Sequence, residues 1–242
     1  MALPKVATPT YELTIPSTGK KIRYRPFLVK EEKMLMMAAD GGGASISKAI
    51  KDVLQACTQS KLDLKTLAPF DVEYFFLQIR GKSVGDEINL ALQRPNSMEC
   101  ECSKGQTSKI VLNINDINLD VSKISDGKIE ITKDIGIKLK YPEMDSMQKF
   151  IASDTNPSTD DIFKIITECV EYIWEGDEIF KARDATKQEL NDFIESLNSE
   201  QFTKVREFFE DMPKLSKEVI WKCPKCEAST PVLLEGIDSF FA

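Results

Sequence analysis

Ile46, Ala49, Ile50, Val53, Leu54 and Cys57 recur at the spacing of one helix face, so ISKAIKDVLQACT predicts an amphipathic helix. Upstream, YELTIPSTGKKIRYRPF alternates polar and apolar positions on both sides of residues 16–19, the pattern of two short strands joined by proline and glycine turn chemistry. KEEKMLMMAAD begins another helix, which GGGAS at 41–45 breaks as a flexible connector. PFDVEYFFLQIRGKSVG then sets Val72, Phe75, Phe76 and Ile79 on one helical face before glycines stop it. IEITKDIGIKLKYP reads as a bent strand or hairpin. After it, Ile162, Ile165, Ile166, Cys169, Val170, Ile173 and Trp174 predict a helix over residues 158–175, opened by a capping box from Ser158 to Asp161. TKQELNDFIESL, with a Thr186 to Glu189 capping box, and SEQFTKVREFFEDMP, stopped at Pro213, predict two more.

Two further segments share one pattern. Strand-like INLALQ and KIVLNIN flank Cys100 and Cys102; strand-like EVIWK and PVLLE flank Cys223 and Cys226. The tails agree too, IVLNINDINL after the first pair and PVLLEGIDSFF after the second. The two pairs read as matching hairpin knuckles, and four thiolates would close a tetrahedral structural zinc site with no open position for substrate. Cys57 and Cys169 lie on apolar helix stripes and read as core residues. The expected fold is α+β. Helices pack around small antiparallel hairpins, and two zinc-ribbon-like knuckles are joined by a mostly helical insertion whose ends the metal staples together. We expect a single domain over 1–242, with an N-terminal β-hairpin at 1–29, a helical segment at 30–83, the first cysteine knuckle at 84–118, a strand plus helical insertion at 119–215 and the second knuckle at 216–242.

Composition narrows the chemistry. The 242 residues contain no histidine, which excludes imidazole bases, Ser-His-Asp and Cys-His nucleophiles and mixed Cys/His metal sites. The formal net charge is −7, so the average surface repels phosphate and a zinc-ribbon nucleic-acid-binding module is the secondary reading. KKIRYR at 20–25 is one local basic stretch, and its alternation reads as a solvated strand face. GGGAS lacks the Gly-Lys-Ser/Thr of a phosphate loop. No nucleophile, base or open metal site can be named, so no enzymatic activity is expected. The chain has neither a run long enough to span a membrane nor the apolar core of a signal peptide near its start, and is expected to be made in a reducing cytoplasm.

PSTGKKIRYRPFLVKEEKMLMMA, FDVEYFFLQIRGKSVGDEI, DIGIKLKYP, FIESLNSEQFTKVREFFEDMPKL and the terminal KCPKC with LLEGIDSFF together resemble the T4-like myophage baseplate hub protein family. The resemblance spans nearly the whole chain with its blocks in family order. CEC at Cys100 and Cys102 departs from the family's Cys-x-x-Cys-Gly first knuckle. The resemblance implies a non-enzymatic tail protein, a hub subunit or an assembly chaperone, acting in the host cytoplasm and carried into the virion if it is a subunit. Other hub proteins or the tape-measure protein would be its partners. The candidate partner surfaces are Met34, Met36 and Met37, because methionine adapts to varied apolar partners, and the C-terminal Phe240 and Phe241.

Overall fold

Alternation in YELT and KIRY around a Pro-Ser-Thr-Gly turn folds the start of the chain back on itself. The structure, a computed structural model, describes residues 6–39, 43–59, 63–64, 67–96, 107–143, 146 and 159–240. Strands β1 (Tyr11–Thr14) and β2 (Lys21–Tyr24) pair antiparallel from Tyr11↔Tyr24 to Thr14↔Lys21. Ile22 and Tyr24 point into the core while Lys21 and Arg23 are exposed, as the alternation of the basic stretch requires. Helices α1 (Val29–Ala39), α2 (Gly43–Cys57) and α3 (Pro69–Val84) follow. Gly43, read as part of a flexible connector, instead opens α2. That helix buries Ala49, Ile50, Val53, Leu54 and Cys57, as its stripe predicts. α3 is buried beyond one face: Phe70 and Leu77 join Val72, Phe75, Phe76 and Ile79 in the core. Asp71, in its first turn, is also buried and accepts hydrogen bonds from the Ser17 backbone N–H at 2.9 Å and from the Ser17 hydroxyl. The β1–β2 turn is thereby fixed to the N-terminus of α3, where a carboxylate is favoured.

Strands β3 (Glu87–Gln93) and β4 (Thr107–Asn113) form a seven-residue hairpin, followed by a short 3-10 turn at Ile114–Asp116 and by β5 (Asn118–Leu119). The chain gathers into two compact units, and here it leaves the first, built from Met1–Leu62, Phe70–Asp120 and Lys214–Ala242, for the second, Val121–Pro213 with Asp63–Pro69.

Among the described residues, the second unit is a four-stranded antiparallel sheet with three helices. Its strands, β6 (Lys128–Glu130), β7 (Ile135–Leu139), β8 (Val170–Glu175) and β9 (Glu178–Lys181), lie in the order β6-β7-β8-β9. The helices are α4 (Thr159–Cys169), α5 (Lys187–Glu195) and α6 (Ser199–Glu210). Both members of the Thr186/Glu189 capping box are made, and Asn198 with Gln201 forms another at α6. Ile137, Leu139, Ile166, Leu190, Ile194 and Val205 form the middle of its core.

Here the helix expected over 158–175 is corrected. It ends at Cys169, and residues 170–175 are strand β8, paired with β7 on one side and β9 on the other. VEYIWE is rich in β-branched and aromatic residues, and the Gly176-Asp177 turn after it returns the chain as β9. Gly176 has φ +56°, the conformation demanded at the first position of a two-residue hairpin turn. Ser158, the expected cap, lies outside the described residues.

The chain re-enters the first unit through β10 (Leu215–Lys222) and β11 (Ser229–Glu235), and a 3-10 turn follows at Ile237–Phe240. β10 pairs with β11 along its whole length and with β5 at Leu215↔Leu119 and Ser216↔Asn118. Backbone pairing therefore closes the ends of the second unit, the task the sequence reading gave to metal. The α+β expectation holds: among the described residues there are six helices and four small antiparallel sheets. The stretch between β5 and β10 is richer in strand than expected.

Candidate cysteine turn and exposed helix face

Cys223 and Cys226 sit where β10 turns into β11. The Cys223 N–H donates to the Ala228 carbonyl at 2.8 Å and the Glu227 N–H donates to the Cys223 carbonyl at 3.0 Å, closing the turn. Inside it, the Lys225 N–H points at the Cys223 sulfur, 3.5 Å away. Glu227 takes φ +60°, the only non-glycine residue at positive φ among those described. The sequence lacks the glycine usual at such a knuckle, but the backbone makes the left-handed bend regardless. Cys223 is buried and Cys226 exposed.

Trp221, wholly buried two residues before Cys223, packs with Cys223, Leu92, Ala228 and Val232. Its indole Nε1–H donates to the Leu92 carbonyl at 3.0 Å, across 129 residues of sequence. Leu92 is next to Gln93, whose partner Thr107 begins β4. This bond ties the stem of the first cysteine-bearing segment to β10 beside the second cysteine turn. No sequence pattern singled out Trp221 for this. Cys100 and Cys102 themselves lie outside the described residues. Among the described residues no group of three or more His, Cys, Asp or Glu side chains is arranged to hold a metal.

The other two cysteines sit in the core. Cys57 is wholly buried, and burial pushes its thiol up to about 11 against the opposing pull of Arg25. Burial likewise pushes Cys169 up to about 12, against a weaker effect of Lys140. Thiols held neutral in apolar surroundings are inert packing groups. Arg25, read as part of a solvated basic face, turns inward at the end of that face: its Nη2 lies 2.9 Å from Glu31 and it also donates to the Ala56 carbonyl at 3.1 Å. Glu31 is buried in the first turn of α1. Burial raises its pKa, but hydrogen bonds from Arg25 and from the Leu28 N–H at 2.7 Å outweigh this, and the net shift is downward.

With Glu31 buried and Leu35 half-buried, the other side of α1 meets solvent. Met36 and Met37 are 67% and 66% exposed, Met34 is 42% exposed, and Val29 one to two turns earlier is 80% exposed. Periodicity alone could not assign this side of the helix, since α1 is apolar on more than one face. Phe240 is wholly buried and is set aside as an accessible contact residue; Phe241 lies outside the described residues.

The two features are thus a cysteine turn bonded to a neighbouring hairpin and an apolar helix face open to solvent. The chain belongs to the family described as "T4 bacteriophage base plate protein", whose profile matches residues 8–242. No curated protein and no solved structure matches it. Membership makes it a phage tail component with a structural or assembly role, in contact with other tail or base plate proteins. Among the described residues no helix is long and apolar enough to cross a membrane.

Proposed function

We propose that the protein works in the hub of the base plate, as a hub subunit or as a chaperone of hub and tape-measure proteins. The outer face of α1 is the observation that carries this reading: Val29, Met36 and Met37 are more than half exposed on one side of a helix. Flexible thioethers suit an apolar helical partner laid against them. Tape-measure helices are such partners before the tube encloses them, when their apolar surface would otherwise aggregate. Quantitative mass spectrometry of purified virions against infected-cell lysate tests the role. A fixed ratio to a base plate ring protein identifies a hub subunit. Abundance in lysate without presence in particles identifies a chaperone, and a co-purified complex then names what it holds. If no hub or tape-measure protein associates with it in either fraction, the hub reading fails.

We further propose a structural zinc ion held by Cys100, Cys102, Cys223 and Cys226. The N–H aimed at the Cys223 sulfur and the left-handed Glu227 support it, as does the Trp221 bond to Leu92. Chain length also permits it: Cys102 is five residues from Thr107 and so within roughly 17 Å of it, since an extended chain spans about 3.3–3.6 Å per residue. Such an ion would cross-link the two hairpins near their tips and contribute folding energy. Metal content of the purified chain tests it, with about one zinc per chain expected for a four-thiolate site.

A further inference from the structure

Three rows of side chains run across the sheet of the second unit and end at β9. The first is Lys128↔Lys138↔Tyr172↔Lys181, the second Ile129↔Ile137↔Ile173↔Phe180, and the third Glu130↔Gly136↔Trp174↔Ile179. β9 pairs only with β8 among the described residues, and all four of its residues are exposed. Ile179 and Phe180 are among the exposed large hydrophobic residues of the chain, one on each face of the strand. An apolar edge of this kind invites another strand.

The register gives the geometry of that edge. Glu175 and Glu178 close a two-residue turn, so they exchange backbone bonds, and Ile173 with Phe180 does the same. Ile179 therefore aims both its N–H and its C=O outward and Lys181 its N–H, while the Lys181 carbonyl caps the 3-10 turn at Ala182–Asp184. Between the β8–β9 hairpin and α5, a cleft of about 730 Å³ is lined by Ile173, Phe180, Leu190 and Phe193, and a larger one of about 1220 Å³ includes Lys181, Arg183 and Lys187.

We propose that β9 receives an extended segment of another tail protein by antiparallel strand addition, and that this segment reads acidic-apolar-apolar-basic from N- to C-terminus. An acidic residue would face Lys181, which ends a row already holding two other lysines. Apolar residues would continue the rows of Phe180 and Ile179. A basic residue would face Glu178, which stands directly opposite Glu175 with no cation paired to either among the described residues. Cross-strand like charges are destabilising, so the open edge is completed by the opposite sign. A second copy fits less well. Two β9 strands share the same outward residues, so two-fold antiparallel pairing sets Phe180 against Phe180, or Ile179 against Ile179, and never Glu178 against Lys181. This surface is independent of α1 and of the cysteines, and stands or falls apart from the hub reading.

The test uses the full chain and labelled synthetic peptides with an Asp-Val-Ile-Lys core or its reversal, Lys-Ile-Val-Asp, followed by fluorescence anisotropy up to about 1 mM, the weak end of measurable affinity. The forward peptide should bind roughly tenfold or more tightly than its reversal, because two favourable cross-strand pairs become two unfavourable ones. Ile179→Pro removes an outward N–H that β8 does not use, and should abolish binding while the circular dichroism melt stays in place. Lys181→Glu, which leaves the backbone untouched, should weaken the forward peptide and narrow its advantage. Equal binding of the two peptides, no binding of either, or binding indifferent to both substitutions overturns the proposal. So does a concentration-dependent dimer in sedimentation that Ile179→Pro abolishes, which would make a second copy the occupant.

Discussion

Replacing Trp221 by phenylalanine removes a side-chain bond between the two cysteine-bearing hairpins while leaving most of the apolar volume in place. The indole N–H bond to the Leu92 carbonyl contributes about 0.5–1.5 kcal/mol net, and that carbonyl keeps its ladder bond to Ser108 when the indole is gone. The missing ring atoms leave a small void at a site with no exposure at all, at a cost of about 1 kcal/mol. Together these give about 2 kcal/mol for Trp221→Phe, against about 3–5 kcal/mol for Trp221→Ala. A urea titration followed by far-ultraviolet circular dichroism should place the phenylalanine variant's midpoint about 1 M below the parent's, for the m-values usual in small proteins. Hydrogen exchange read by mass spectrometry adds a local test. Amides of β3 should exchange faster in the variant although the substitution lies in β10, because the lost bond is to β3. A destabilisation below about 0.5 kcal/mol, the range of ordinary surface changes, or an acceleration confined to β10, would refute the claim that Trp221 clamps the hairpins.

Three other outcomes are expected. Glu31→Gln should cost about 3 kcal/mol by leaving Arg25 partly buried without its counter-charge. Because the folded pKa of Glu31 lies below its unfolded value, its contribution is fully present above the ordinary carboxylate range near pH 4.3 and is lost as pH falls through the lowered folded value. The gap between parent and variant should therefore stay constant from about pH 8 to 5 and shrink only in acid, as chemical denaturation at each pH would show. Gly136→Ala would drive a Cβ into the Trp174 ring, so the indole must lift off the sheet, at a cost of about 1–3 kcal/mol and with a red-shifted emission from Trp174. Cys223→Ser should lose the metal whereas Cys57→Ala and Cys169→Ala should keep it, a pattern that metal analysis of the three purified variants can check.

Local rules carried much of the fold. Turn chemistry placed the β1–β2 hairpin, a single regular stripe placed α2, and the Thr186 to Glu189 box marked the start of α5 to the residue. The β8–β9 hairpin escaped because Ile173 and Trp174 extend the α4 stripe as well as they alternate in a strand. Gly176-Asp177, a two-residue hairpin signal, was the feature able to separate the two readings. Long-range pairings left no local trace. Nothing near Glu31 reveals that it is buried; its burial follows from Arg25 six residues earlier and from the carbonyl of Ala56, which Arg25 also reaches. The paired hairpins were legible through their matching strands, and the structure adds that each is followed by a 3-10 turn, at Ile114–Asp116 and at Ile237–Phe240. The bond that joins them is a buried Trp–carbonyl contact that no spacing rule predicts.

The position of β5 changes what a metal could do in this molecule. Leu119 and Asn118 pair with Leu215 and Ser216, Leu215 is wholly buried, and its carbonyl also accepts the Gly236 N–H at 2.9 Å. The ends of the second unit are joined by backbone pairing, so a zinc ion at the cysteines is not needed to close that long loop. Along β10 the order is Leu215 at the junction, Trp221 at the clamp and Cys223 at the tip. A metal at the tip would fasten the hairpins at the end of β10 away from its pairing with β5. Removing it with a chelator should therefore loosen the segments around Cys100 and Cys226 first, while the β5–β10 pairing and the β6–β9 sheet keep their protection from exchange. Early loss of protection at Asn118 and Leu119 would instead return the stapling role to the metal.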